Sequence, residues 1–426
     1  MRAERDNATG DTMSLTVINA LLEGESIGVR CEEGTIAAIG PDVVAAAGDE
    51  VIDAGGAPLV PPLVNGHTHA AMTLFRGSGG DLPLMPWLQE RIWPIEAKLE
   101  VEDVYWGARL ACAEMIRTGT TRFWDMYWQP EATARAVIDS GIRAAVGAPL
   151  FDADGKLGRL RETAGRSLEH LTGLDSRISP ALAPHAIYTV SERALRWIAD
   201  LGSEHGVPVQ IHLSETAEEA AECVVAHGVR PAAYLDALGL LNERTVLAHG
   251  VWLDPEELEL IAARGATVVT NPVANMKLAV GGVFPHPAAR SAGVAIGLGT
   301  DGAGSNDSLD LMADLKVFAL VQKHAATDPT AIDAAEAWAV ATGARAPLLG
   351  AGEPLTVGAD ADFLLLRGDS PELGIGEITA SLVYAASGSV VDTTVVAGRV
   401  LMRGGEVPEL EEIVARAAER ARRLGL

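Results

Sequence analysis

The chain has little cysteine, few positive charges and no long apolar run. Its three cysteines, Cys31, Cys112 and Cys223, are odd in number, far apart and without metal-ligand spacing. That excludes a disulfide framework or a cysteine metal site and leaves small buried thiols of a reducing compartment. Lysine and arginine total 33 against 58 acids, a formal charge of −25. A field of that sign repels phosphate, so neither nucleic acid nor an anionic membrane is expected as a partner; an electroneutral or cationic small molecule fits better. No apolar run approaches the ~20 residues of a membrane span. The stretch Met1 to Ser14 is polar and lacks the apolar centre of a signal peptide. These features read as a cytoplasmic protein with residues 1–13 a disordered extension and Met13 an alternative start. Whether it forms a homo-oligomer is left open.

What is present is a chain of 426 residues with a hydrophobic fraction of 48%, enough for one large domain and a smaller one. Short strands punctuated by glycine run from Ser14 to Gly56: Leu15 to Ile18, Ile27 to Arg30, Thr35 to Ile39 and Val51 to Asp53. A matching set returns at Ala361 to Leu366, Ser381 to Tyr384 and Thr394 to Ala397. The two ends are predicted to complete one small β-sandwich, residues 14–57 with 346–405.

Residues 58–345 alternate strands and helices, the pattern of βα units on a parallel sheet. The first strand is Pro58 to Val64. The others are Thr121 to Trp124, Arg143 to Ala148, Ile178 to Ala183, Val207 to Leu213, Thr245 to Ala248, Ala266 to Thr270 and Val294 to Leu298. Val104, Ala108, Ala111 and Met115 share a helical face that ends before Gly119. Asp254-Pro255-Glu256-Glu257 is a capped helix start closed by Gly265, and Thr216 to Glu219, closed by Gly228, repeats the capping box. Eight units of this size predict an α/β fold, a TIM-like (β/α)8 barrel whose site lies at the C-terminal strand ends. Residues 406–426 read as a terminal surface helix.

The reactive side chains fall at those ends. His67-Thr68-His69 leaves strand one, and on extended backbone residues i and i+2 project together, a natural pair of ligands for a metal such as zinc. His212 closes strand five with Glu215 three residues on, His249 closes strand six, and Asp301 follows strand eight within Gly299-Thr300-Asp301-Gly302. Each alone is ordinary: a histidine at a strand end bonds a loop, Glu215 caps a helix, Asp301-Gly302 makes a turn. Jointly, six groups from four distant segments converge on one mouth. His170, His205, His227, His286 and His324 fall outside this set and read as structural or solvated. Trp87, Trp93 and Trp106 read as core and lid packing, with Trp87 lining the pocket.

The stretches PPLVNGHTHAAMTLFRG, WLQERIWPIEAKL, ALAPHAIYTVSE, IHLSET, LAHGVWLD, NPVANMKLAVGG and GLGTDGAGSNDSLDL resemble the amidohydrolase superfamily. Within it they resemble the metal-dependent aminohydrolases that include the 5'-methylthioadenosine/S-adenosylhomocysteine deaminases and the triazine hydrolases. The resemblance implies that His67, His69, His212 and Asp301 hold one divalent metal, zinc or sometimes iron, and that Glu215, His249 and Asp301 handle protons. The implied reaction is attack by metal-activated water on an adenosine derivative, giving the inosine derivative and ammonia. Binuclear relatives carry a lysine at the end of strand four; this chain has Ala181-Leu182-Ala183-Pro184-His185 there, so a mononuclear site is expected. By the same resemblance Glu96 reaches the ribose hydroxyls, His185 the purine, and Arg159 an amino-acid carboxylate. Ala148 stands where some relatives have a second arginine, which keeps 5'-methylthioadenosine, 5'-deoxyadenosine and adenosine beside S-adenosylhomocysteine as substrates. The alternatives are an aminohydrolase or chlorohydrolase of guanine, pterin or triazine rings, and a non-catalytic scaffold.

Overall fold

The structure, a computed structural model, describes residues 14–78, 82–152, 155–350 and 354–426; the predicted disordered extension, residues 1–13, lies outside the described residues. Eight parallel strands make a ring in two arcs. Leu63–Thr68, Thr120–Met126, Arg143–Gly147 and Ile178–Pro180 form one arc. Val209–Leu213, Thr245–His249, Thr267–Thr270 and Ala295–Leu298 form the other. A bridge between Leu182 and Val209 joins the arcs at one seam. At the other, the Asp301 amide donates to the His67 carbonyl at 3.0 Å. The strands can be apolar throughout because both faces are covered: Leu63–Thr68 and Thr245–His249 are buried at every residue.

The helices that cover the ring form for local reasons. Val101–Arg117 buries Val104, Ala108, Ala111 and Met115 on its inner face. Pro255–Arg264 has the full capping box between Asp254 and Glu257 and ends at Gly265 with φ 71°. Inside the ring, Val64, Trp124, Val246, Val269 and Leu349 fill the floor. A Cβ on Gly297 would lie 2.4 Å from Leu349 Cδ1, so glycine there lets Leu349 seal the barrel. The opposite, C-terminal end stays open for chemistry.

Two four-stranded sheets, Thr35–Gly40/Glu25–Glu32/Leu15–Leu22/Glu50–Asp53 and Arg399–Met402/Val391–Val396/Phe363–Leu366/Leu59–Val60, make the sandwich. Val17, Val29, Ile36, Phe363, Leu365 and Val395 share its core. Two expectations are corrected. The run Pro58 to Val64 is not one barrel strand: Leu59–Val60 pairs antiparallel with Phe363–Leu366, and the barrel strand begins at Leu63. Pro61-Pro62 divides them because proline donates no ladder hydrogen bond. Ser381 to Tyr384 is not a strand but the end of a helix, Ile378–Tyr384. The Glu377 carboxylate accepts from the amides of Thr379 and Ala380 at 2.9 and 2.6 Å, which starts a helix that then buries the adjacent pair Leu382 and Val383.

Barrel and sandwich are tied by a buried ion pair. Arg143 donates to both oxygens of Asp362 at 2.8 and 3.1 Å. Asp362→Ala would strand the guanidinium, with only the half-exposed Asp360 left at 3.3 Å. The expected loss is about 3 kcal/mol in a denaturant titration, the low end for breaking a buried pair, with metal content unchanged. The C-terminal helix, Leu410–Leu424, buries Ile413, Ala417 and Leu424. Its Arg423 Nε donates at 3.0 Å to Asp103, which is fully buried. No helix among the described residues is long and apolar enough to cross a membrane.

Candidate metal centre and active site

At the open end of the ring the ligand-type residues predicted from strand ends come together. Each histidine is oriented through Nδ1: His67 by Gln210 Oε1 at 3.2 Å, His69 by the Met126 carbonyl at 2.7 Å, His212 by the His185 carbonyl at 2.8 Å. Those acceptors place the proton on Nδ1 and leave each Nε2 lone pair free. His212 Nε2 lies 3.1 Å from His67 Nε2 and 3.3 Å from His69 Nε2. Asp301 Oδ1 lies 3.4 and 3.2 Å from the same two nitrogens. Donors around an ion at ~2.0–2.1 Å in tetrahedral arrangement would sit about 3.3–3.4 Å apart, close to these four separations. Three lone pairs and a carboxylate facing one point repel unless a cation stands among them. Asp301 Oδ1 is buried with no hydrogen-bond partner, the orphan expected of a ligand atom. The residues fit a divalent metal. His249 also groups with His67 and Asp301.

The electrostatics agree. Burial raises the Asp301 carboxyl, but the imidazoles of His67 and His69 beside it hold it well below the usual carboxylate range. Burial opposes a charge on His69, yet Asp301 raises the ring above its ordinary value, so this point attracts positive charge, which a metal ion would supply in place of a proton. The geometry also costs backbone strain. Ser214, His249 and Asp301, at the ends of strands five, six and eight, have φ of 52°, 76° and 62°, left-handed conformations that non-glycine residues adopt uncommonly. Their neighbours hold them there. Asn65 and Thr300 exchange two hydrogen bonds at 2.7 and 3.0 Å, and Ser305 Oγ donates to Asp301 Oδ2 at 2.6 Å.

Glu215 is buried beside the cluster, and His249 Nδ1 lies 3.9 Å from its carboxyl. Burial, then the Asp301 charge, pushes it up to about 8. Its peptide is clamped by Glu219, whose two oxygens accept from the amides of Ser214 and Glu215 at 3.0 and 2.9 Å. The capping box expected at Thr216 and Glu219 is therefore half realised. Thr216 Oγ accepts from the Glu219 amide at 3.2 Å, but the left-handed turn at Ser214 offers the Glu219 carboxylate two earlier amides instead of the cap's own. His249 is held through Nδ1 by Asn275 Oδ1 at 2.8 Å.

These groups form one wall of a tight chamber of ≈ 70 Å³, whose other walls include Trp87, Trp93, Glu96, Trp128, Phe151 and His185. Burial raises the Glu96 carboxyl, against the opposing pull of Trp128 and Tyr127. His185 stacks on Phe151 at 4.7 Å, and its Nδ1 meets Thr189 Oγ at 3.0 Å. Burial and the neighbouring histidines push it down to about 3, leaving a neutral imidazole. Arg159 is not brought into the chamber. It is exposed on the helix Leu157–Leu171 and borders a separate ≈ 320 Å³ cavity that shares Trp128, Pro149 and Phe151 with the chamber. Trp106 also lies away from it, edge-on to Tyr105. Sequence reasoning missed Gln210, Asn275 and Asn65, which act on groups of distant segments and carry no spacing signal, and it read Glu219 only as a capping-box partner.

Comparison with known proteins gives a consistent picture. Residues 59–401 match the model of the amidohydrolase family. The chain is 47% identical over 379 residues to a 5'-deoxyadenosine deaminase of Methanoregula boonei, covering 88% of this chain and 86% of that one. It is 41% identical over 384 residues to a 5-methylthioadenosine/S-adenosylhomocysteine deaminase of Archaeoglobus fulgidus, covering 88% and 90%. A crystal structure of an adenosine deaminase from Xanthomonas campestris with bound zinc superposes with a TM-score of 0.86 at 34% identity, over 97% of this chain and 98% of that one.

Proposed function

The chain belongs to the amidohydrolase family, and from that premise we propose that it is a zinc-dependent deaminase hydrolysing adenosine derivatives to inosine derivatives and ammonia. The substrate class is 5'-deoxyadenosine, 5'-methylthioadenosine, S-adenosylhomocysteine or adenosine. The observation that carries this reading is the set of four converging donors with the Glu215 carboxyl beside them, in a chamber that also holds Glu96 and His185. Three imidazoles and one carboxylate suit zinc. When bound, such an ion acidifies water in contact with it from a pKa of ~15.7 to about 7.

The chain's own groups do the rest. Asp301 accepts a proton from the attacking water as its oxygen adds to the ring carbon. His249, fixed through Nδ1 by Asn275, presents its other nitrogen to that water and orients it. Glu215, protonated below about 8, delivers its proton to the ring nitrogen beside the attacked carbon. The proton held by Asp301 passes to the amino group, the C–N bond breaks and ammonia leaves, and the added hydroxyl gives its proton back to Glu215 as the carbonyl forms, restoring both carboxyl groups. One water is consumed and one C–O bond replaces one C–N bond.

An ammonia-release screen of zinc-loaded protein against adenine nucleosides, free purines, pterins and triazines tests the proposal. Nucleosides are expected to react, and release confined to pterins or triazines would replace it. Glu96→Ala is expected to raise KM for nucleosides roughly tenfold or more, the cost of a lost hydrogen bond to a charged group, without a matching rise for free adenine. Equal rises for both would remove its contact with the sugar.

A further inference from the structure

We propose that a groove adjoining Glu215 receives a substituent carried on the ring carbon next to the nitrogen that Glu215 protonates, which in a purine nucleoside is C2. The inference rests on the deaminase reading above and extends it to a substrate position that reading leaves open.

The chamber, at ≈ 70 Å³, has little room beyond a flat ring. Two larger cavities share its walls. One, ≈ 320 Å³, shares Trp128, Pro149 and Phe151, which follow strands two and three. Glu96 borders Trp128, so this is the side on which a sugar held by Glu96 would lie. The other, ≈ 690 Å³, shares Leu84, Tyr188, Glu215 and Leu278. Beyond them it is walled by Ala217, Trp252 and Val280, from the loops after strands five, six and seven. In a ring of eight strands, two and three stand nearly opposite five to seven. A nucleoside with its sugar toward Glu96 therefore presents the far edge of its base to Glu215.

The ring nitrogen at that edge lies between two carbons. The attacked one faces inward, toward Asp301 and the histidines. A substituent on the other must turn outward past Glu215, whose side chain borders both spaces. The walls there are apolar, with Leu84, Pro86, Trp252 and Val280; the rim carries exposed Glu218 and Glu222, and no lysine or arginine is among the described lining residues. The groove thus fits an alkyl or aryl chain that ends neutral or cationic.

The test compares kcat/KM for adenosine and 2-(phenylethylamino)adenosine on the zinc-loaded protein and on Ala217→Trp, which fills the groove. The parent is expected to accept the substituted nucleoside within about tenfold of adenosine, and Ala217→Trp to lower the substituted-to-unsubstituted ratio by about tenfold or more, a usual effect of closing an apolar pocket. Calorimetry with the product, 2-(phenylethylamino)inosine, is expected to show tighter binding than inosine in the parent alone. Glu218→Trp, at an exposed position on the same groove, repeats the comparison should Ala217→Trp not fold. A parent ratio below about a hundredth, or a ratio unchanged by either filling variant, overturns the inference while adenosine deamination stands. Failure to deaminate adenosine, 5'-deoxyadenosine, 5'-methylthioadenosine and S-adenosylhomocysteine alike overturns the deaminase reading, and this inference with it. An ammonium-ended chain is expected to react faster than a carboxylate-ended one at low salt; an equal or reversed order removes the rim's part.

Discussion

Glu215→Gln is expected to slow ammonia release by about 10³-fold or more while the protein keeps the same metal content and the same melting curve. A positioned proton donor contributes typically 10²–10⁴-fold, and of the two chamber carboxyls outside the donor set Glu215 is the one beside it, Glu96 lying against Trp128. Glutamine preserves shape and burial but has no proton to give. The fold asks little of the side chain, since its own peptide is held by Glu219. Equal activity in the variant would defeat the assignment; loss of metal would recast Glu215 as a ligand. The same group sets a pH limit. Burial and Asp301 place its titration at about 8, and it must be protonated to act, so kcat is expected to be full below that value and to fall as pH rises through it. The Gln variant's residual rate should show no such fall.

Removing the metal is expected to abolish activity and to lower stability together. A chelator followed by re-addition of zinc should return both, with about one equivalent bound. Two equivalents would contradict the mononuclear reading drawn from the end of strand four, where Ala183-Pro184-His185 stands. At a thousandfold excess over Kd, an ion that binds only the folded state contributes about 4 kcal/mol. His67→Ala is expected to reproduce the loss without a chelator, because it removes a donor and leaves Gln210, 1% exposed, without its ring partner. Asp301→Asn tests the same centre from the carboxylate side, and there Ser305 Oγ can still bond the amide oxygen. A variant in this set that binds metal as tightly as the parent would show that its donor is not a ligand.

Much of this was legible in residue order because a barrel converts chain position into place. A polar residue immediately after a strand must reach the mouth, so His67, His69, His212, Glu215, His249 and Asp301 could be brought together before any coordinates. What orients them was not legible. Gln210 sits two residues before His212 on the same strand, and its contact is with His67, 143 positions away; no spacing rule links them. Ser381 to Tyr384 was misread because four residues cannot separate a period of 2 from one of 3.6, whereas the acid at Glu377 was a helix signal available to be used. Pro61-Pro62 likewise marked the break between two strands that apolarity alone had fused. Arg159, placed by resemblance at an amino-acid carboxylate, lies on an exposed helix and borders the cavity next to the chamber on the Trp128 side.

The pairing of Leu59–Val60 with Phe363–Leu366 also bears on how the molecule is made. During synthesis the early strands leave the ribosome about 300 residues ahead of their partners, and at about 5–20 residues per second they wait roughly 15–60 s. Over that interval Leu15–Leu22 and its neighbours carry an apolar face with no partner sheet, so the small sandwich cannot close until the whole barrel segment has been made.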